Sequence, residues 1–358
     1  MKTKILKIAT PVWHMLPRQF RETGLAARIR QQFIPAPVPA PEPELIPVIQ
    51  EPVPELPAEA PVADVPNTIE YIQAWQDRLT ARHDYLQDTA PPPLPGLLKS
   101  SMCTEQVMRS ETFQYWTVRM GDRPGHMHRK IWEWAFITQA LKERGMLQAG
   151  QLGLGFAVGT EPLTALFAAH GASIVATDLF TEEAQAKGWV ESTQHANGFE
   201  AINQRNLCDE KELHRLVEFK FADMNNISEE LHGKFDFLWS SCAFEHLGSI
   251  EHGKNFVYNA MHCLKPGGFA IHTTEFNMSS NDDTVDSGAT VLFRKRDIEE
   301  IISTLQAQGH QIDIDWDEGD GYADGHVDLA PYIQDTHLRL QIEKYVVTSI
   351  GLIVQKAL

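Results

Sequence analysis

The chain has 358 residues, 43% of them hydrophobic, enough to pack one large domain or two ordinary ones. Its formal net charge of −17 disfavours nucleic acid as a partner, because neutralising phosphates needs a basic face. Four scattered cysteines without a C-x-x-C pair exclude a disulfide scaffold or a zinc knuckle and suit a reducing cytoplasm. No apolar run approaches the roughly 18 residues of a membrane-spanning helix.

Residues 1–34 carry seven Lys or Arg against a single acid, Glu22, with Ile5, Ile8, Trp13, Leu16, Phe20 and Phe33 between them. Pro11, His14 and Pro17 interrupt any signal-peptide core. The stretch reads either as an amphipathic segment for the inner face of an anionic membrane or for a partner, or as a disordered tail. Residues 35–66 hold eleven of the 21 prolines, six acids and no Lys or Arg, so they form an extended linker that cannot bury a core. Residues 67–150 read as a helical cap. One helix opens at Thr68–Trp75; another runs from His128 to Leu141, with Ile131, Trp134, Ile137 and Leu141 on one stripe.

After Gly150 short apolar runs alternate with helical stretches. Strands are expected at 151–156, 173–177, 217–222, 235–240, 268–274, 311–315 and 345–354. Helices are expected at 162–170, 181–197, 228–231 (short), 250–264 and 296–308. This alternation predicts parallel strands with right-handed crossovers, and the helix-free approach to the last strand allows a final antiparallel hairpin. The fold class is α/β, a doubly wound seven-stranded sheet over residues 151–358 behind the helical cap.

The chemistry starts at Gly153-Leu-Gly155-Phe-Ala157-Val-Gly159-Thr160-Glu161-Pro162. A strand running into a glycine turn and a helix N-terminus lets backbone and free N–H groups approach a ligand. Asp178 ends the second strand nineteen residues after Gly159, where an acid accepts hydrogen bonds from a ribose diol. Those two features fit S-adenosylmethionine or a nicotinamide dinucleotide, so an NAD(P)-dependent oxidoreductase is the alternative enzyme class. Three later elements favour the former: Phe221-Ala222-Asp223-Met224, the strand Phe235-Asp236-Phe237 leading to Ser241-Cys242, and Leu264-Lys265-Pro266-Gly267-Gly268 before the fifth strand.

With these elements the chain resembles the class I S-adenosylmethionine-dependent methyltransferases over about residues 145–358. The resemblance implies that Gly153, Gly155 and Gly159 line the methionine part of the cofactor. It also implies that Asp178 holds the ribose, Asp223 and Met224 flank the adenine, and Ser241 with Cys242 faces the sulfonium. Two departures stand out. The family's acid two residues before its first loop glycine is missing, for which Glu161 is the candidate substitute, and Ala157 stands where glycine is preferred.

Methyl transfer to oxygen or nitrogen benefits from a base. His246, with Glu245 orienting it or the acceptor, is the expected choice; His272 and Glu275 flank the next strand at the same edge. The polar stretch Glu275–Asp283 suits a polyhydroxylated acceptor or an ordinary solvated loop. Arg294, Lys295 and Arg296 could grip an anion or simply solvate a helix. The acidic run Asp313–Gly321 lacks the glycine of a calcium loop at Glu318, so no metal is expected. The partner is therefore a small-molecule or glycan acceptor. A non-catalytic S-adenosylmethionine-binding protein is the remaining reading.

Overall fold

The computed structural model describes residues 96–179, 196 and 198–358. The basic tail, the proline-rich linker, the helix expected at Thr68–Trp75 and, but for Ala196, the helix expected at 181–197 lie outside them. The strands are β1 (Ser100–Met102), β2 (Met127–His128), β3 (Leu152–Phe156), β4 (Ser173–Asp178), β5 (Val217–Phe221), β6 (Phe235–Ser241), β7 (Leu264–Asn277), β8 (Ile314–Asp315), β9 (Val327–Asp328), β10 (Thr336–His337), β11 (Arg339–Ile342) and β12 (Tyr345–Gln355). The helices include α1 (Glu105–Arg109), α2 (Glu111–Arg119), α3 (Arg129–Glu143) and α4 (Leu163–Ala169).

The main sheet runs β5-β4-β3-β6-β7-β12-β1-β8. The pairs from β5 through β7 are parallel, and β12 is antiparallel to β7. This is the doubly wound arrangement, with its strand order reversing between β3 and β6, where ligands bind outside the carboxyl ends. Among the described residues ten strands join the sheet rather than seven. The free edge of the eleven-residue β12 is shared by β11, by β1 and by a bridge from Gln311 to Gln355. The closing hairpin therefore pairs β12 with β11, and the segment expected as the sixth strand shrinks to Ile314–Asp315 beside β1. Buried Arg339 holds this patchwork together, donating to the Cys103 carbonyl (2.7 Å) and to Thr348 Oγ1 (2.5 Å).

The residues ahead of Gly150 share the core with the sheet. Helix α3 packs across β6, β7 and β12. Gly351 on β12 allows the close approach: a Cβ there would lie 2.3 Å from the Phe136 ring. A single apolar stripe was expected on this helix, yet Trp132 and Glu133 are as buried as Ile131. Helix α2 explains it, packing on α3 with the Trp116 indole donating to Gln139 (2.8 Å). Fixed between α2 and the sheet, α3 delivers its first turn to the carboxyl edge. The opposite face of the sheet is packed by Phe156, Phe244, Phe256 and Phe293.

The Lys265–Gly268 turn is a bulge in β7: the pairing with β6 jumps from Phe235–Leu264 to Phe237–Phe269. A Cβ on Gly268 would meet the Asp236 carbonyl at 2.8 Å, so only glycine passes. Asp236 accepts from Leu152 N–H (2.8 Å) and Lys265 Nζ (2.8 Å), binding three strands together at their amino ends.

Candidate active site

A cavity of about 440 Å³ lies at the carboxyl edge. Its wall includes Ala157, Gly159, Glu161, Asp178, Asp223, Met224, Ser241, Cys242 and His246. Gly153, Gly155 and Glu245 do not line it. The first two glycines serve the sheet instead, since a Cβ on Gly153 would lie 2.3 Å from the Phe237 ring and one on Gly155 2.4 Å from Trp239. The aromatic side chains of β6 require glycine at both positions.

The loop after β3 is held by its own backbone. Val158 N–H donates to the Thr177 carbonyl (3.0 Å), and Thr177 Oγ1 donates back to Gly155 (2.8 Å). Asp178 accepts from the N–H groups of Gly159 (3.1 Å), Ala196 (3.1 Å) and Leu179 (2.8 Å). Ala157 sits at φ 47° and Gly159 at φ 52°, both left-handed. For alanine that conformation costs about 1–2 kcal/mol. Ala157→Gly is therefore expected to raise the unfolding free energy by up to ~1 kcal/mol, after glycine's entropy cost is subtracted. Urea melts of the two proteins measure it, and an unchanged or lower midpoint contradicts the strain argument.

Behind the cavity lies a buried charge network that the sequence reading did not assign to the site. Arg129, Lys130 and Glu133 come from one turn of α3, at the three- and four-residue spacing that puts side chains on one face. Glu133 is fully buried and accepts from Arg129 (3.1 Å), Cys242 Sγ (3.1 Å) and Ser349 Oγ (2.5 Å), with Lys130 Nζ at 3.3 Å. Burial alone would raise its pKa, but Lys130 and Arg129, helped by Ser349 and Cys242, outweigh it and hold the carboxyl at about 2. Arg129 also pairs with Glu275 on β7 (2.5 Å) and reaches Cys242 Sγ (3.3 Å). Burial and the adjacent Glu133 and Glu245 push the Cys242 thiol well up, so it is no thiolate nucleophile.

Glu161 stands where this network meets the cavity. Oε1 accepts from Ser241 Oγ (3.0 Å) and lies 3.5 Å from Lys130 Nζ. Buried Oε2 makes no well-formed hydrogen bond among the described residues, and the Trp134 indole is the one donor near enough to act on this carboxyl from that side. Burial pushes this carboxyl up to about 7, with Glu133 adding to the rise and Lys130 opposing it. A buried acceptor short of a well-formed bond, on the wall of a cavity, fits the ammonium of an amino-acid-bearing cofactor.

His246 lines the cavity; its Nδ1 donates to the Ala289 carbonyl (2.9 Å), which puts the ring's lone pair on Nε2, 4.0 Å from Glu245 Oε1. Fully buried Glu245 accepts from Thr274 Oγ1 (3.0 Å) through its other oxygen. Burial, reinforced by Glu275, raises its pKa. His272 belongs to the core: its Nδ1 pairs with Ser240 Oγ (2.8 Å), and burial lowers its pKa to about 3. Arg294 is committed to Asp297 (2.7 Å), at the N-terminus of the helix Lys295–Ala307.

An α/β sheet with a glycine turn, an acid at the tip of the second strand and a cavity at the strand-order reversal defines a domain that binds an adenosyl cofactor. Residues 154–272 match the family described as "Methyltransferase domain". That match makes residues 154–272 a methyltransferase domain, with S-adenosylmethionine as its cofactor. No curated protein sequence matches the chain.

Among solved structures, the magnesium protoporphyrin IX methyltransferase of Synechocystis PCC 6803 with bound SAH is 14% identical, with 70% of this chain and 97% of that one covered and a TM-score of 0.35. The YcgJ protein of Bacillus subtilis is 13% identical, with 63% and 98% covered and a TM-score of 0.39. A methyltransferase of Methanosarcina mazei is 12% identical, with 61% and 97% covered and a TM-score of 0.35. Among the described residues no helix is long and apolar enough to cross a membrane.

Proposed function

We propose that the chain methylates an oxygen or nitrogen of a small acceptor, a saccharide or lipid-linked saccharide, with His246 as base. The observation that carries this reading is the gathering of Glu161, Asp178, Cys242 and His246 on one cavity wall. When bound, the cofactor supplies an activated methyl on a sulfonium. Glu161 would hold its ammonium, Asp178 its ribose, and Asp223 and Met224 its adenine. His246 Nε2 would take the proton of the acceptor's oxygen or nitrogen as that atom accepts the methyl that the cofactor supplies. Glu245 keeps His246 in place. The acidic chain disfavours nucleic acid as acceptor, and the basic segment 1–34 suits an anionic lipid surface.

Calorimetry with S-adenosylhomocysteine and with NADH tests the cofactor half: one-site heat with the first and none with the second is expected. The reverse pattern restores the oxidoreductase. His246→Ala is expected to lower kcat by about 10²–10⁴ while leaving the affinity for S-adenosylhomocysteine unchanged. Unaltered turnover would remove His246 as the base, and turnover absent from the wild-type chain with all acceptors would leave a binding protein.

A further inference from the structure

At the Glu161 end of the cavity a donor and an acceptor stand close together without completing a bond. Trp134 and Glu161 both line the cavity, and Trp134 Nε1 and Glu161 Oε2 are both buried without a well-formed hydrogen bond among the described residues. The indole is near enough to act on the carboxyl. An indole N–H only donates and an ionised carboxylate only accepts, so a ligand that meets both must carry groups of each kind. Lys130 lines the same wall. Its Nζ is 3.3 Å from Glu133 Oε2 and 3.5 Å from Glu161 Oε1. Both distances are long for a charged hydrogen bond, so this ammonium keeps a donor for a third partner.

We propose that Lys130 and Trp134 bind the carboxylate of the cofactor's amino-acid end, beside the ammonium that Glu161 takes. This rests on the methyltransferase reading and adds two binding residues from α3, which lies ahead of the matched residues 154–272. In an α-amino acid the ammonium and the carboxylate branch from one carbon. Such a ligand can therefore supply a donor to Glu161 Oε2 and an acceptor to Trp134 Nε1–H together. An amine without the carboxylate would leave the indole and Lys130 unmet. A carboxylate without the amine would be repelled by Glu161.

All the charges around this end fit the assignment. Among the described residues the wall carries the carboxylates of Glu161, Asp178 and Asp223 and the cations of Lys130 and Arg205. Behind it Arg129 pairs with Glu133 and Glu275, and Lys130 stands between Glu133 and Glu161. A ligand ammonium at Glu161 draws that carboxylate's charge away from Lys130, and a ligand carboxylate at Lys130 replaces it. Charges then alternate from Glu161 through the ligand's ammonium and carboxylate to Lys130 and Glu133. The scaffold also aims the two donors. Lys130 and Trp134 are four residues apart on α3, the spacing that stacks side chains on one face. The Arg205 guanidinium lies over the Trp134 ring, 4.9 Å from its centre, and donates to the Met120 carbonyl (2.7 Å). The indole is thereby covered on one face, which limits its rotation and keeps its N–H edge at the wall.

The test is calorimetry on the purified full chain with S-adenosylhomocysteine, its decarboxylated analogue, and methylthioadenosine, which lacks the whole amino-acid end. Wild type is expected to bind S-adenosylhomocysteine at least about tenfold more tightly than the decarboxylated analogue. Lys130→Met and Trp134→Phe are each expected to weaken S-adenosylhomocysteine at least about tenfold, the scale of a lost hydrogen bond to a charged group. The decarboxylated analogue should bind Trp134→Phe as it binds wild type, and Lys130→Met equally or more tightly, because a cation facing its ammonium is gone. Methylthioadenosine should bind all three proteins alike. Melting curves check that Lys130→Met folds, and Trp134→Phe, which keeps the ring and removes the N–H, carries the test if it does not. If Trp134→Phe weakens both amine-bearing ligands equally, the indole serves Glu161 alone and the proposal is overturned. An unchanged affinity for S-adenosylhomocysteine in a folded variant overturns it too, as does equal wild-type affinity for that ligand and its decarboxylated analogue. Wild type that binds none of the three compounds overturns the methyltransferase reading, and this assignment with it.

Discussion

Replacing Glu133 by alanine is expected to lower the unfolding free energy by about 3–5 kcal/mol, because Arg129 and Lys130 lose the buried carboxylate they share. Against a typical total of about 5–15 kcal/mol, that loss takes a large share of the stability. Urea unfolding followed by tryptophan fluorescence measures it; a change below about 1 kcal/mol would place the network in contact with water. The double variant Arg129→Met, Glu133→Met should recover part of the loss, since it removes charges of both signs together. The pH dependence has a definite sign. The folded pKa of Glu133 lies at about 2, below its ordinary 4.5. Its contribution is full above the unfolded pKa and is lost as acid carries the pH down from 4.5 toward 2. Acid unfolding of wild type should therefore steepen in that window, and the Glu133→Ala variant should show a weaker dependence there.

The second large effect concerns the cofactor. Glu161→Gln is expected to weaken S-adenosylhomocysteine binding by about 10–100-fold, the scale of a lost charge-assisted hydrogen bond in a buried setting. Proton linkage distinguishes this from a general disturbance. With its carboxyl at about 7, Glu161 is partly protonated at neutral pH in the unliganded chain. A bound ammonium favours the ionised form, so binding expels protons and affinity tightens as the pH rises from about 6 to 8. Titrations in two buffers of different ionisation heat count those protons. Wild type should release a fraction of a proton at pH 7, and Glu161→Gln none. Equal release by both proteins would send the ammonium elsewhere. Asp178→Ala should also weaken binding, but Asp178 braces the loop through Gly159 N–H, so its effect mixes contact with order.

Much of the architecture was legible from periodicity and glycine placement. The five parallel strands and the helices following β3 and β6 stand where alternation puts them, because those segments carry enough apolar residues to declare a period. Strand β1 was not legible. Ser100-Ser-Met102 is too short to alternate, and it belongs to the sheet only because Ser100 Oγ accepts from Ile353 N–H (2.9 Å) and β12 offers an open edge. The closing hairpin was expected with the wrong segment for the same reason: Gln311–Asp315 and Arg339–Ile342 are similarly short, and tertiary anchoring by Arg339 decides between them.

At the site, a strand-end acid and a loop acid could be read from position along the chain. The charge network could not, since Glu133 and Glu275 are 142 positions apart in sequence and meet only after α3 docks on β7. The spacing of Arg129, Lys130 and Glu133 was the available signal, and a helix expected to be half exposed concealed its meaning. The departure at Ala157 was visible in advance, and its positive φ shows why glycine is favoured there.

The Leu264–Phe269 bulge has a consequence for anyone tracing ancestry among such chains. It lies at the amino ends of the parallel strands, a sheet's length from the cavity, and it answers to the geometry of β6, β7 and the residues that end β12. A lineage could abandon its reaction, or adopt a new acceptor, without disturbing that turn. Shared possession of the turn thus dates the scaffold. Kinship in chemistry is recorded at the opposite rim, in the first turn of α3.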